Sequence, residues 1–294
     1  VKNLRILINP IAGHGLGARI NSFIDKSGIQ DHYKVEIKTT EYPRHAYELA
    51  KAAVNENIDV VAAVGGDGTV NEVASALFES NTSLAIIPVG SGNGLARHIG
   101  MSLDPITCLK QISTAKFDKI DSLFINNRFA LNVSGFGFDG YVAWLFNKSA
   151  KRGITTYTKI GLQEYLKYPS INFTIDVNDE IIQKDAHMIV IANASQFGNA
   201  AIIAPKADLQ DKMLDLIIVS RPGILELPSM MYNLFTGNLK ENNYIKMIKC
   251  ESFTATSDRP IHLHIDGEGN EPLSSISVKI APNSLRILLP LQKK

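Results

Sequence analysis

The run Asp59-Val60-Val61-Ala62-Ala63-Val64 passes directly into Gly65-Gly66-Asp67-Gly68-Thr69, and then into Val70-Asn71-Glu72-Val73-Ala74-Ser75-Ala76-Leu77. An apolar run, a glycine turn and helical spacing in immediate succession predict strand, tight turn and helix. A glycine turn that opens a helix offers unpaired backbone N–H groups and a positive dipole end to an anion. Its three glycines carry no Cβ, so the main chain can come close to a phosphate. A carboxylate in such a turn would repel phosphate. It fits if Asp67 acts through a magnesium ion or through water bound to one.

The same alternation extends over the first 120 residues. Strands are expected at 4–8, 34–39, 60–64 and 84–89, with helices at 18–26, 46–55 and 70–79. Several strands are continuous apolar runs, as parallel strands covered on both faces require. The expected architecture is a doubly wound parallel sheet, with ligands at the carboxyl ends of its strands. Three loops fall there: Asn9-Pro10-Ile11-Ala12-Gly13-His14-Gly15, the 65–69 turn, and Gly90-Ser91-Gly92-Asn93-Gly94. Thr40 and Glu41 follow the second strand at the same level. The first loop lacks the Gly-Lys-Ser/Thr ending of a Walker loop, which disfavours that nucleotide-binding class. Each loop alone is compatible with a plain turn or a helix N-cap. Three at one sheet edge, one of them holding Asp67, point to a phosphate site.

After Asp118 the pattern changes. Ile171, Phe173, Ile175 and Val177 alternate with polar residues, Asn178-Asp179 marks a hairpin, and Ile276, Val278 and Ile280 alternate again. A mainly antiparallel β-sandwich is expected, interrupted by helical insertions near 141–168 and 224–236. The domains are expected at 1–120 and 121–294, with the C-terminal end free to pack back on the first. No linker rich in Gly, Pro or Ser separates them, so close apposition around a cleft is expected.

A formal net charge of +1 gives no strong field for nucleic acid. Cys108 and Cys250 form no disulfide framework, and a reduced cytosol is the expected compartment. Val1-Lys2-Asn3-Leu4-Arg5 is expected to run straight into a strand with no signal peptide, and no apolar stretch reaches the roughly 18 residues of a membrane span.

Three further segments carry chemistry. If the strand before Ile265-Asp266-Gly267-Glu268 is regular, His262, His264 and Asp266 share one face. That face is open to two readings, a zinc site or a polar surface. Pro205-Lys206-Ala207-Asp208-Leu209-Gln210-Asp211-Lys212-Met213-Leu214-Asp215 has the oxygen donors that a hard cation favours, and equally the composition of an acidic turn. Phe117-Asp118-Lys119-Ile120-Asp121 ends in a carboxylate that a solvated strand would also explain.

Asn9-Pro10 with Gly13, the 65–69 turn continuing into Asn71-Glu72, and the 88–93 loop together resemble the diacylglycerol kinase catalytic-domain family, which includes bacterial lipid kinases, sphingosine kinases and ceramide kinases. The Gly-Gly-Asp-Gly-Thr element is shared with NAD kinases. The resemblance extends over essentially the whole chain and implies an NAD kinase/diacylglycerol kinase-like first domain and a lipid-binding second domain. It implies an ATP- and magnesium-dependent lipid kinase that transfers the γ-phosphoryl group to the hydroxyl of diacylglycerol, a sphingoid base or a related lipid. It places ATP against Asn9, Pro10, Gly13, Thr40, Gly65, Gly66, Asp67, Gly68, Thr69, Asn71, Glu72, Ser91 and Asn93. It implies Asp266 as general base, with Glu268 beside it. It implies a structural magnesium held by a side-chain oxygen of Asp211 and the backbone carbonyls of Asp208 and Met213, and Asp121 near the magnesium and phosphates. The chain departs from the family at Lys212, where glycine is usual. It departs again at Gly94, where bacterial diacylglycerol kinases often have aspartate and which is closer to the sphingosine kinase version.

A lipid kinase without a membrane span must visit the membrane, and a cytoplasmic enzyme with peripheral membrane contact is expected, as monomer or homodimer. Tyr141-Val142-Ala143-Trp144-Leu145-Phe146, followed by Lys148, Lys151 and Arg152, combines aromatics with cations as interfacial helices do. Met230, Met231, Leu234 and Phe235 form a second pliable apolar stretch. Buried core helices would look the same. Two alternatives remain open at this stage: an NAD kinase-like enzyme, and a non-catalytic nucleotide- or lipid-binding sensor.

Overall fold

The computed structural model describes residues 1–15, 19–149 and 153–291. The first residue of the expected 18–26 helix, together with Lys151 and Arg152, lies outside the described residues. The chain divides into two compact units, Val1–Asp121 with the segment from Asn283 onward, and Ser122–Pro282.

The first unit alternates β1 (Lys2–Ile8), α1 (Ile20–Ser27), β2 (Tyr33–Thr39), α2 (His45–Asn55), β3 (Val60–Gly65), α3 (Asp67–Leu77), β4 (Ser83–Pro88), α4 (Gly94–His98), α5 (Pro105–Thr114) and the start of β5 (Lys116–Ile125). Every residue of β3 and β4 is buried, as their apolar runs require. α2 turns Ala46, Ala50 and Ala53 inward, a small-residue stripe at helical spacing. Asp104 caps α5 by accepting the Thr107 N–H at 2.8 Å, with Pro105 in the first turn.

The parallel strands lie in the order β2-β1-β3-β4, and the end of the last strand, β16 (Leu273–Leu289), joins β4 through Ile287 opposite Leu84. Going from β1 to β2 and then to β3 reverses the direction of travel across the sheet. Right-handed crossovers therefore place α1 and α2 on opposite faces. The reversal leaves a crevice at the carboxyl ends of β1 and β3, where this class of sheet takes its ligands. The 9–15 loop and the 65–69 turn are the segments that leave those two strand ends.

The second unit adds β6 (Arg128–Ala130), β7 (Val133–Gly137), α6 (Phe138–Lys148), α7 (Ile154–Tyr165), β8 (Ile171–Val177), β9 (Glu180–Ala186), β10 (Met188–Ala192), β11 (Leu214–Val219), α8 (Leu227–Thr236), β12 (Ile245–Cys250), β13 (Ser252–Ile261), β14 (Leu263–Ile265) and β15 (Glu268–Gly269). One antiparallel sheet runs β12-β11-β10-β7-β14-β15, and a second layer runs β16-β13-β8-β9. Asn178 and Asp179 both take positive φ, the turn that a two-residue hairpin needs. Phe136, Ile189, Ile191 and Leu216 of one sheet and Phe173, Ile175, Phe253 and Val278 of the other form the sandwich core. Met230 and Leu234 of α8 cover the outer side of β10 and β11. Among the described residues no helix is long and apolar enough to cross a membrane.

His187, between β9 and β10, is only 2% exposed, with rings of Phe138, Tyr165 and Tyr168 at 4.5, 5.0 and 5.5 Å. Both ring nitrogens are buried without a hydrogen-bond partner. Burial, aided by the Arg221 charge, pushes the imidazole from its ordinary 6.5 down to about 4. Above pH 6.5 the group is neutral whether the chain is folded or not. Between pH 6.5 and 4 the unfolded chain takes up a proton that the folded chain refuses, so stability falls with falling pH, by about 3 kcal/mol in all. Urea unfolding of His187→Phe across this window should lack that component. An unchanged pH profile in the variant would contradict it.

Candidate functional site

Three side chains wire the strand-end loops of the first unit together. Asn9, just past β1, donates from Nδ2 to Thr69 Oγ1 at 3.1 Å, and its Oδ1 accepts the Ile11 N–H at 3.3 Å. Asp67 accepts the Asn93 N–H at 2.9 Å on one oxygen and the Gly94 N–H at 2.8 Å on the other. Glu72 accepts the Arg44 N–H at 3.2 Å and so ties the segment after β2 to α3. Thr40 donates its N–H to Ile8 at 2.8 Å, beside the start of the first loop. Asn9, Thr69, Asp67, Asn93 and Glu72 therefore form one connected set. Pro10 lies in the turn after Asn9, Asn71 on α3, and exposed Ser91 in the third loop.

α3 begins at Asp67, three residues before the expected start, so Asp67, Gly68 and Thr69 form its first turn. Gly66 is the N-cap and no side chain caps the helix. A carboxylate in the first turn suits the helix dipole, and here it also holds the third loop. The glycines also let the loops approach one another. A Cβ on Gly90 would lie 2.4 Å from the Gly66 Cα, so the second and third loops touch backbone to backbone. A Cβ on Gly13, at φ +61°, would lie 2.1 Å from the Val89 carbonyl oxygen. Asn93 Nδ2 donates to the Gly90 carbonyl at 2.7 Å, while its Oδ1 is buried without a partner. That oxygen suits a hard cation or a hydrogen-bond donor on a nucleotide.

In the second unit the strand ends at Ile265. Asp266 takes φ +49° and does not continue the expected face with His262 and His264. Its carboxylate accepts the Leu131 N–H at 2.8 Å and the Asn132 N–H at 2.9 Å, and its own N–H donates to Ser134 Oγ at 3.2 Å. Asp266 is 8% exposed. Glu268 is exposed and pairs through its backbone with Ile265 across the turn. The two histidines part company: the His264 Nε2 lies 3.3 Å from Asp139, and the His262 ring packs 4.6 Å from Trp144. Among the described residues no three His, Cys, Asp or Glu side chains converge on a metal position, so the zinc reading of this strand is set aside.

Asp139 escaped the sequence reading, although it stands in Gly135-Phe136-Gly137-Phe138-Asp139-Gly140. That run ends a strand and opens α6, and a Cβ on Gly135 would collide with the Asp139 carboxylate. The aromatic residues of α6 are half-buried: the Tyr141 ring packs 5.2 Å from Tyr168, and exposed Lys148 covers the Trp144 ring at 3.5 Å.

The 208–213 loop uses its carboxylates internally. Asp208 Oδ1 accepts the Gln210 N–H at 2.9 Å. Asp211 Oδ1 accepts the Met213 N–H at 3.0 Å, and its Oδ2 is paired with the Lys249 ammonium. Of the ligands implied for a structural magnesium, the Asp211 side chain is thus already paired with an ammonium, whereas these contacts leave the Asp208 and Met213 carbonyls unaddressed. Asp121 lies fully buried on β5 in the first unit and accepts the Asn283 N–H at 2.7 Å.

Both halves of the chain match known protein families. Residues 3–125 match the diacylglycerol kinase catalytic domain, and residues 132–289 match the YegS C-terminal NAD kinase beta sandwich-like domain. A diacylglycerol kinase of Staphylococcus saprophyticus is 25% identical over 97% of this chain and 97% of its own length. One of Staphylococcus aureus strain JH9 is 26% identical over 97% and 94%. A solved diacylglycerol kinase structure from Bacillus anthracis str. Sterne superimposes with a TM-score of 0.77 at 18% identity, covering 99% of this chain and 97% of that one. The glycine loops wired through Asn9, Asp67 and Glu72, the β-sandwich and these two matches together place the chain in the diacylglycerol kinase catalytic-domain family of lipid kinases.

Proposed function

We propose that this lipid kinase uses ATP and magnesium to phosphorylate a lipid hydroxyl of the diacylglycerol or sphingoid-base class. The observation that carries the reading is the connected loop set at the β1/β3 crevice, because phosphoryl transfer depends chiefly on positioning and charge neutralisation. In this reading the first unit takes the nucleotide. Asn9, Pro10, Gly13, Thr40, Gly65, Gly66, Gly68, Thr69, Asn71, Ser91 and Asn93 frame it, while Asp67 and Glu72 stand on the magnesium side. Magnesium, when bound, neutralises phosphate charge. The second unit takes the lipid. Asp266, oriented by the Leu131 and Asn132 backbone N–H groups, accepts the hydroxyl proton, and Glu268 is its acidic neighbour.

The surface proposed to meet the membrane is α8 with the turn before it. The ten residues of α8 include no charged side chain, yet none is buried. Met231, Tyr232 and Phe235 are exposed, and so are Ile224 and Leu225, the latter to 91%. An apolar surface of this kind suits the headgroup–acyl boundary of a bilayer.

The test supplies labelled ATP, magnesium and a total lipid extract to the purified chain and identifies the product by mass. A labelled phospholipid is expected, and Leu225→Glu should slow transfer on vesicles while sparing detergent-dispersed lipid. No label in any lipid would refute the kinase reading. Equal activity of Leu225→Glu on both presentations would refute the membrane surface alone.

A further inference from the structure

We infer that the Lys249 ammonium permanently occupies the cation position of the 208–213 loop, which therefore keeps its shape without a divalent metal. Lys249 on β12 stands directly opposite Asp215 on β11 in the strand register, so the sheet itself delivers the charge. The ammonium pairs with Asp211 Oδ2 and lies 3.5 Å from Asp215 Oδ2, bridging the loop to the strand that follows it. The other Asp211 oxygen is held by the Met213 N–H, and Asp208 by the Gln210 N–H. A divalent cation at Asp211 would have to displace the ammonium or sit against it, and like charges at that range repel. Lys212 holds φ +64°, so the loop keeps a left-handed residue without the glycine that favours one. The charge that a hard cation would bring to these carboxylates is already covalently part of the chain.

Thermal unfolding without nucleotide tests this. In the wild type, millimolar magnesium or calcium should leave the melting temperature where EDTA leaves it. Lys249→Met should melt at least about 2–4 °C lower in EDTA and regain stability as either cation is added. Lys249→Arg should behave as the wild type. A cation-dependent rise in the wild type that Asp211→Asn abolishes would overturn the inference. So would a Lys249→Met variant as stable as the wild type in EDTA, or one that neither cation restores.

Discussion

Asp266→Asn is expected to lower kcat by about 10²–10⁴-fold, the range for loss of a positioned general base, while ATP affinity stays near the wild-type value. The asparagine keeps the size of the side chain and one acceptor oxygen. It removes the proton acceptor and sets an NH₂ group against one of the two N–H donors, Leu131 or Asn132. Losing one hydrogen bond to a buried charged group costs about 1–3 kcal/mol, so activity must be referred to the folded fraction. Asp266→Ala is the poorer probe, because both N–H groups would be stranded and the 130–134 segment would lose its anchor. Single-turnover transfer alongside nucleotide binding separates the two effects. Near-normal turnover in Asp266→Asn would remove Asp266 from the chemistry and leave it as a structural clamp.

Asp67→Ala should fail in the opposite way, through the nucleotide. The Asn93 and Gly94 N–H groups lose both of their acceptors, and the third loop is released from the start of α3. Loosening by about 1 Å at such a site is enough to cost about 10²-fold in rate. The loss should appear as weaker ATP binding together with lower kcat. Asp67→Asn, which keeps one acceptor, should fall between the alanine variant and the wild type. Unchanged ATP affinity in Asp67→Ala, measured by calorimetry, would mean that the loop tie does not shape the nucleotide site.

The contrast between these residues explains what the sequence could and could not reveal. The β–α alternation, the crevice loops and the 178–179 hairpin are local, because each depends on residues within a few positions of one another. Asp67 was legible as special but not as a brace, since its partners Asn93 and Gly94 lie in a different loop. Asp266 was legible only through resemblance. Its positive φ ended the strand one residue before the alternation of His262, His264 and Asp266 could bring the three together. The Asp139–His264 contact spans 125 positions, and the Lys249–Asp215 pair depends on a strand register that no local pattern encodes. The Gly-Phe-Gly-Phe-Asp-Gly run did carry a signal for Asp139, because a glycine two residues into a buried strand marks a close approach.

The most direct measurement offers the purified chain labelled ATP and magnesium with diacylglycerol, sphingosine and NAD present together, and separates the products. A lipid kinase built on this site should place label on a lipid and none on NAD, and the label should vanish in Asp266→Asn. Label appearing on NAD alone, or transfer to lipid that survives Asp266→Asn at the wild-type rate, would contradict it.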